Sequence, residues 1–202
     1  MTHQYSPRFS IELKPGTTFD RPTTATAPFE LIRMDNPALD VMTDFRFIKP
    51  QTTWPDVSIE DALEMMKIAG VRLLLVMNDD EQIIGLISAK DIQGERPIKL
   101  AEETRINHAD ILVEMIMIPQ KEIKVLSMKS IQDAQVGHII ETMRQLECQY
   151  ILVVIEDEST EKQRIRGLFS ASQISKQMRR DIMEDMTEAH SLYEIVHEAE
   201  HS

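Results

Sequence analysis

Apolar residues recur at helical spacing in Ile59, Ala62, Leu63, Met66 and Ala69, which predicts one buried helix face. Two short apolar runs follow, "VRLLLV" and "IIGLI", on either side of a polar turn. Their length and β-branched content predict a hairpin of strands buried on one or both faces. The same order then returns. "DVMTD" at 40–44 corresponds to "MIMIP" at 115–119, "ALEMM" at 62–66 to "IIETM" at 139–143, and "LLVMNDD" at 74–80 to "LVVIEDE" at 152–158. "GLISAKDI" from Gly85 comes back as "GLFSASQI" from Gly167. The offset grows from 75 to 82 residues along the chain, and its largest step falls in the hairpin turn, where length varies at little cost. The pattern predicts an α/β (α+β) fold built as two β-α-β-β-α repeats. Each repeat is too small to bury both faces of its sheet, so the two are expected to pack as one pseudo-symmetric module.

Four stretches are expected. Residues 1–38 form an irregular N-terminal arm, because "KPGTTFDRPTTATAP" carries three prolines and no periodicity. Residues 39–112 hold the first repeat and a connecting segment, and 113–178 the second. From 179 to 202 an amphipathic tail continues the spacing of Ile174, Met178, Ile182, Met186, Ala189, Tyr193 and Val196, predicting one long helix.

With 34 acidic and 22 basic residues the 202-residue chain has a formal charge of −12. That field opposes nucleic acid and anionic membrane surfaces at long range, but a local anion site is decided over a few ångströms. The single Cys148 forms no internal disulfide and precedes an apolar run, where an inert thiol is expected. The first residues lack a secretory pattern and no apolar run approaches a membrane span, so a cytoplasmic location is expected. His190, Glu194 and His197 share helical spacing, although a solvated acidic face is the preferred reading over a metal site. Trp54 is read as pinning its loop. No phosphate-binding loop, nucleophile elbow or paired-cysteine motif is present, so no enzymatic activity is expected.

The chemistry lies in the difference between the repeated motifs. Ser88 falls at the end of a strand and Asp91 three residues later, an arrangement that caps a helix. Gln173 should serve equally well as a cap with Ser170. A carboxylate can accept from both hydroxyls of a ribose, whereas an amide offers one acceptor oxygen. On this reading Asp91, beside Ser88 and the cation Lys90, marks a ribose-binding site. Ser170, Ser172 and Gln173 mark a weaker second site.

"VMT", "SIEDALEMM", "RLLLVMNDDEQIIG" and above all "GLISAKDI" resemble the paired cystathionine-β-synthase (CBS) domain, or Bateman module, over roughly residues 39–178. The resemblance implies a stand-alone regulatory module, usually a flat homodimer, with adenine nucleotides or S-adenosylmethionine bound between the repeats as ligands rather than as required cofactors. It implies that Asp91 takes the ribose diol and Ser88 the phosphate. It adds Thr43 as a hydroxyl against the nucleoside, with Ile118 at the equivalent position of the second repeat. Both losses then fall in repeat two. The alternative is a ligand-free dimerising scaffold, and the downstream protein partner is left open.

Overall fold

Ser58 and Gly70 bracket the first periodic helix as capping chemistry requires. The Ser58 hydroxyl accepts from the Asp61 N–H at 3.1 Å, and Gly70 closes the helix in the left-handed conformation at φ +66°. The computed structural model describes residues 6–19, 32–156, 162–179 and 182. In chain order, strands β1 (Ile11–Glu12) and β2 (Thr18–Phe19) lie in the arm, and β3 (Thr43–Asp44) leads into the first repeat. That repeat comprises β4 (Thr52–Thr53), α1 (Ile59–Ala69), the hairpin β5 (Leu73–Met77) and β6 (Ile83–Ser88), and α2 (Ala89–Gln93). Helices α3 (Glu95–Thr104) and α4 (Val113–Ile116) connect to the second lead-in strand, β7 (Ile118–Pro119). The second repeat comprises β8 (Lys124–Ser127), α5 (Met128–Ile131), α6 (Val136–Gln145), β9 (Tyr150–Glu156), β10 (Gln163–Ser170) and α7 (Ala171–Met178).

The β-α-β-β-α order thus occurs twice. One sheet runs β4-β5-β6-β7 and the other β1-β8-β9-β10-β2, with β3 also on β10. Alternation along the strands divides their side chains. Leu73, Leu75, Val125, Leu152, Val154 and Ile165 meet in one cluster shared by both sheets, while Leu74 and Val76 pack with Ile59, Ala62 and Met66 of α1. A shared sheet-to-sheet core explains why the repeats occur as a pair.

The lead-in strands are exchanged. β3, which precedes the first repeat, pairs antiparallel with β10 of the second, setting Leu168 opposite Thr43 and Gly167 opposite Asp44. Reciprocally, β7 pairs with β6 of the first, setting Leu86 opposite Ile118 and Gly85 opposite Pro119. Both glycines are required by this crossing. A Cβ on Gly85 would stand 2.6 Å from Met117 Sδ and 2.9 Å from the Ile118 carbonyl, and one on Gly167 2.7 Å from the Thr43 carbonyl.

Two expectations change. The arm contains two strand pairings, β1 with β8 and β2 with β10, and it buries Leu13 and Thr17. Gln163 holds it by accepting from the Lys14 N–H at 2.7 Å, so ordered packing starts well before residue 39. The expected unbroken C-terminal helix is interrupted, since α7 stops at Met178 and Arg179 turns left-handed at φ +51°. Ile182 remains on the core, 2% exposed, with its N–H on Ser175 Oγ. The rest of the apolar stripe from Met186, and the His190, Glu194 and His197 set, lie outside the described residues. No described helix is long and apolar enough to cross a membrane.

Candidate functional site

β6 ends at Ser88 and delivers it to the start of α2, where the expected capping box forms. Asp91 Oδ2 accepts from the Ser88 N–H at 3.0 Å and from its hydroxyl at 2.6 Å, while the Asp91 N–H donates to Ser88 Oγ at 3.3 Å. The other carboxylate oxygen, Oδ1, faces Arg96 Nη1 at 3.4 Å, and the same nitrogen donates to the Ile116 carbonyl at 3.1 Å. Asp91 is mostly buried and Arg96 half exposed, so one carboxylate oxygen is committed to the cap and the other to a cation that can move away.

Ser88, Lys90, Asp91 and Arg96 open on a cleft of about 970 Å³ between α2–α3 and the turn that joins α6 to β9. Leu86, Ile118, Ile123, Leu146 and Tyr150 supply an apolar wall. Tyr150 donates to the Arg72 carbonyl at 3.3 Å, fixing its ring between the repeats. Burial pushes its hydroxyl pKa up, opposed by Arg72 and assisted by Asp91. Cys148 lines the same cleft, and burial pushes its thiol up to about 11, so it stays a protonated thiol near neutral pH. Polar groups converging on an apolar wall between two packed units are the usual setting of a ligand pocket.

Thr43 is not part of this cluster. The strand exchange carries it to the second repeat, where its hydroxyl donates to Gln173 Oε1 at 3.2 Å. Ile118 takes the corresponding place on β6 and lines the Asp91 cleft. The expectation that both losses fall in repeat two is therefore corrected. The first site has the carboxylate without the hydroxyl, and the second has the hydroxyl without the carboxylate. Pairing of lead-in strands with the opposite repeat is a tertiary choice that a linear alignment of the copies does not contain.

The second motif also departs from its expected cap. Ser170 makes no side-chain cap bond to α7; its hydroxyl lies 3.0 Å from that of Ser172, and Gln173 is engaged by Thr43. A second cleft, of about 720 Å³, is lined by Ser172 together with Lys67, Gly70 and Arg72 at the end of α1 and with Lys90, Gln149 and Tyr150. Sequence reasoning missed Lys67, Arg72 and Arg96, because only the packing of the repeats brings them to the clefts. Trp54, 43% exposed, lines neither cleft. Among the described residues no group of three His, Cys, Asp or Glu could hold a metal ion.

The family model for the CBS domain matches residues 38–97. Among solved structures, an uncharacterised conserved protein from Pyrococcus horikoshii is similar at 26% identity, over 74% of this chain and 96% of that one, with a TM-score of 0.52. A conserved CBS-domain protein of unknown function from Thermoplasma acidophilum is similar at 18% identity, over 75% of this chain and 74% of that one, also with a TM-score of 0.52. CBSX2, solved in complex with AMP, superposes at a TM-score of 0.46, with 19% identity over 72% of this chain and 99% of that one. No curated protein matches the chain. Residues 38–97 are thus a CBS domain, and with its fold repeated in the tract that follows, the chain has the architecture of a tandem CBS-domain protein.

Proposed function

We propose that the chain is a non-enzymatic regulatory module that binds an adenosine-containing nucleotide, of the AMP, ADP, ATP or S-adenosylmethionine class, in the Asp91 cleft. The observation that carries this reading is Asp91 Oδ1, an acceptor at the edge of an inter-repeat cleft whose only described partner is a half-exposed arginine. A ribose diol can replace Arg96 there, the apolar wall suits a base, and Lys90 suits phosphate. Association of two copies and a change in the tail are proposed as the means by which occupancy is relayed to a partner protein.

Thermal unfolding against AMP, ADP, ATP and S-adenosylmethionine tests the proposal. A ligand at 100 times its Kd should stabilise the fold by about 2.7 kcal/mol, or roughly 5–10 °C for a domain of this size. Asp91→Asn should remove most of that shift while the unliganded protein melts within a few degrees of the original. A second reading, a ligand-free dimerising scaffold, is favoured by the closed cap, in which Ser88 already occupies Oδ2. It predicts no shift with any of the four.

A further inference from the structure

The second cleft differs from the first in charge. Of its lining residues Lys67, Arg72 and Lys90 are cationic, and none is acidic. The Asp91 cleft, by contrast, combines Lys90, Arg96 and Lys99 with Asp91, Glu95, Glu122 and Glu147. Among the described residues, Lys67, Arg72 and Lys90 make no ion pair, whereas Arg96 and Lys99 are paired with Asp91 and Glu95. Three cations without an ion-pair partner among the described residues, around one concavity, are unexpected in a chain of net charge −12, where carboxylates outnumber bases.

Their setting removes the obvious competitors. The carbonyls of Met66 and Lys67, which as the negative end of α1 would repel an anion, accept from the N–H groups of Val71 and Gly70 at 3.0 and 3.3 Å. Asp91 stands beyond Lys90, with its carboxylate turned to Ser88 and Arg96. Arg72 is held at its backbone, where its carbonyl accepts from the Ala89 N–H and the Tyr150 hydroxyl. Its guanidinium can then address a ligand without disturbing the packing of the repeats. No carboxylate lines this cleft to take a ribose diol.

We infer that the cleft formed by Lys67, Arg72 and Lys90 binds a phosphate-bearing polyanion through its phosphoryl oxygens alone, with no requirement for a nucleoside. Arginine and lysine donors around a concave, acid-free surface match the several acceptor oxygens of linked phosphates. This inference does not rest on nucleotide binding at Asp91, although Lys90 borders both clefts. A free polyphosphate and the phosphate tail of a nucleoside triphosphate share the same chemistry, and the experiment separates them.

Tripolyphosphate is titrated into the protein by calorimetry at constant ionic strength, beside ATP and adenosine. The expected result is saturable binding of tripolyphosphate, weakened about tenfold or more in Lys67→Gln/Arg72→Gln by the loss of charge-assisted bonds. The charge-conserving Lys67→Arg should retain binding. If ATP alone binds and tripolyphosphate does not, the phosphates are held only as part of a nucleotide and the inference is overturned. Binding of tripolyphosphate that survives in Lys67→Gln/Arg72→Gln overturns it as well. Failure of all nucleotides together with retained tripolyphosphate binding would defeat the nucleotide reading of the Asp91 cleft and leave this one standing.

Discussion

Thr43 donates a hydrogen bond to Gln173 Oε1 at 3.2 Å, although the two residues are 130 positions apart and belong to different repeats. The bond marks where the first lead-in strand has crossed to the second sheet, and it occupies the amide that replaces a carboxylate there.

Replacing Thr43 with Val keeps the β-branched shape and removes the donor. The expected cost is about 1 kcal/mol, the net value of one hydrogen bond, measured by urea unfolding. Any ligand-induced shift from the Asp91 cleft should be unchanged, because Thr43 lies at the other site. A parallel loss of nucleotide response in Thr43→Val would contradict the strand exchange.

Gly167→Ala should destabilise the fold by about 1–3 kcal/mol, the range for overpacking. The new methyl meets the Thr43 carbonyl, and backbone cannot rotate away. Gly85→Ala should cost less, because its nearest neighbour is the flexible Met117 thioether, although the Ile118 carbonyl also lies close. Equal melting points for Gly167→Ala and the original protein would show that β3 is free to lift off.

Asp44 secures the same crossing through a two-pronged pair with Arg166, Nε to Oδ1 at 2.9 Å and Nη2 to Oδ2 at 2.5 Å. Burial pushes the Asp44 pKa up, but the hydrogen bonds from Arg166 and Arg46 and the Arg166 charge outweigh it and hold it below the usual value. A depressed folded pKa means stability that is complete above the ordinary carboxylate range and is lost as pH falls through it toward the folded pKa. Unfolding midpoints taken from about pH 6 to pH 3 should therefore fall more steeply for the original protein than for Asp44→Asn. At neutral pH, Asp44→Asn should cost about 3 kcal/mol by breaking its two-pronged pair with Arg166, which is 5% exposed.

His138 gives a separate pH window. Its Nδ1 accepts the Gln135 N–H at 3.0 Å at the start of α6, which requires that nitrogen to be unprotonated. Burial lowers its pKa, Arg8 lowers it further, and Asp133 opposes them. The unfolded chain then takes up a proton first, so stability is lost as pH falls below about 6.5. His138→Gln should flatten the stability profile between about pH 7 and pH 5. An unchanged slope would mean that the cap does not titrate.

Arg96→Gln removes the cation that competes for Asp91 Oδ1. The pair is exposed on its arginine side, so stability should change by less than about 1 kcal/mol. Affinity for a ribose-bearing ligand should rise severalfold when measured by calorimetry. A fall would place Arg96 on the phosphate instead.

Periodicity was sufficient to determine both β-α-β-β-α units, the Ser88–Asp91 cap and the need for the repeats to pack together, because spacing, capping and strand alternation act between neighbours in sequence. It was also sufficient to set Asp91 against Gln173, since the acceptor capacity of a carboxylate and an amide follows from composition alone. The arm was legible only as irregular, because Leu13 acquires its partners from Ile123 and the shared core, and Thr17 from Gln163 of β10, across the whole chain. Tertiary structure alone decided which lead-in strand joined which sheet, and so which site received Thr43 and which Ile118. Two-residue strands carry too few side chains to specify a partner by pattern. Their pairing is selected by Gly85 and Gly167, which admit the crossing backbone, and by the Asp44–Arg166 pair, which forms only once the two repeats are in contact.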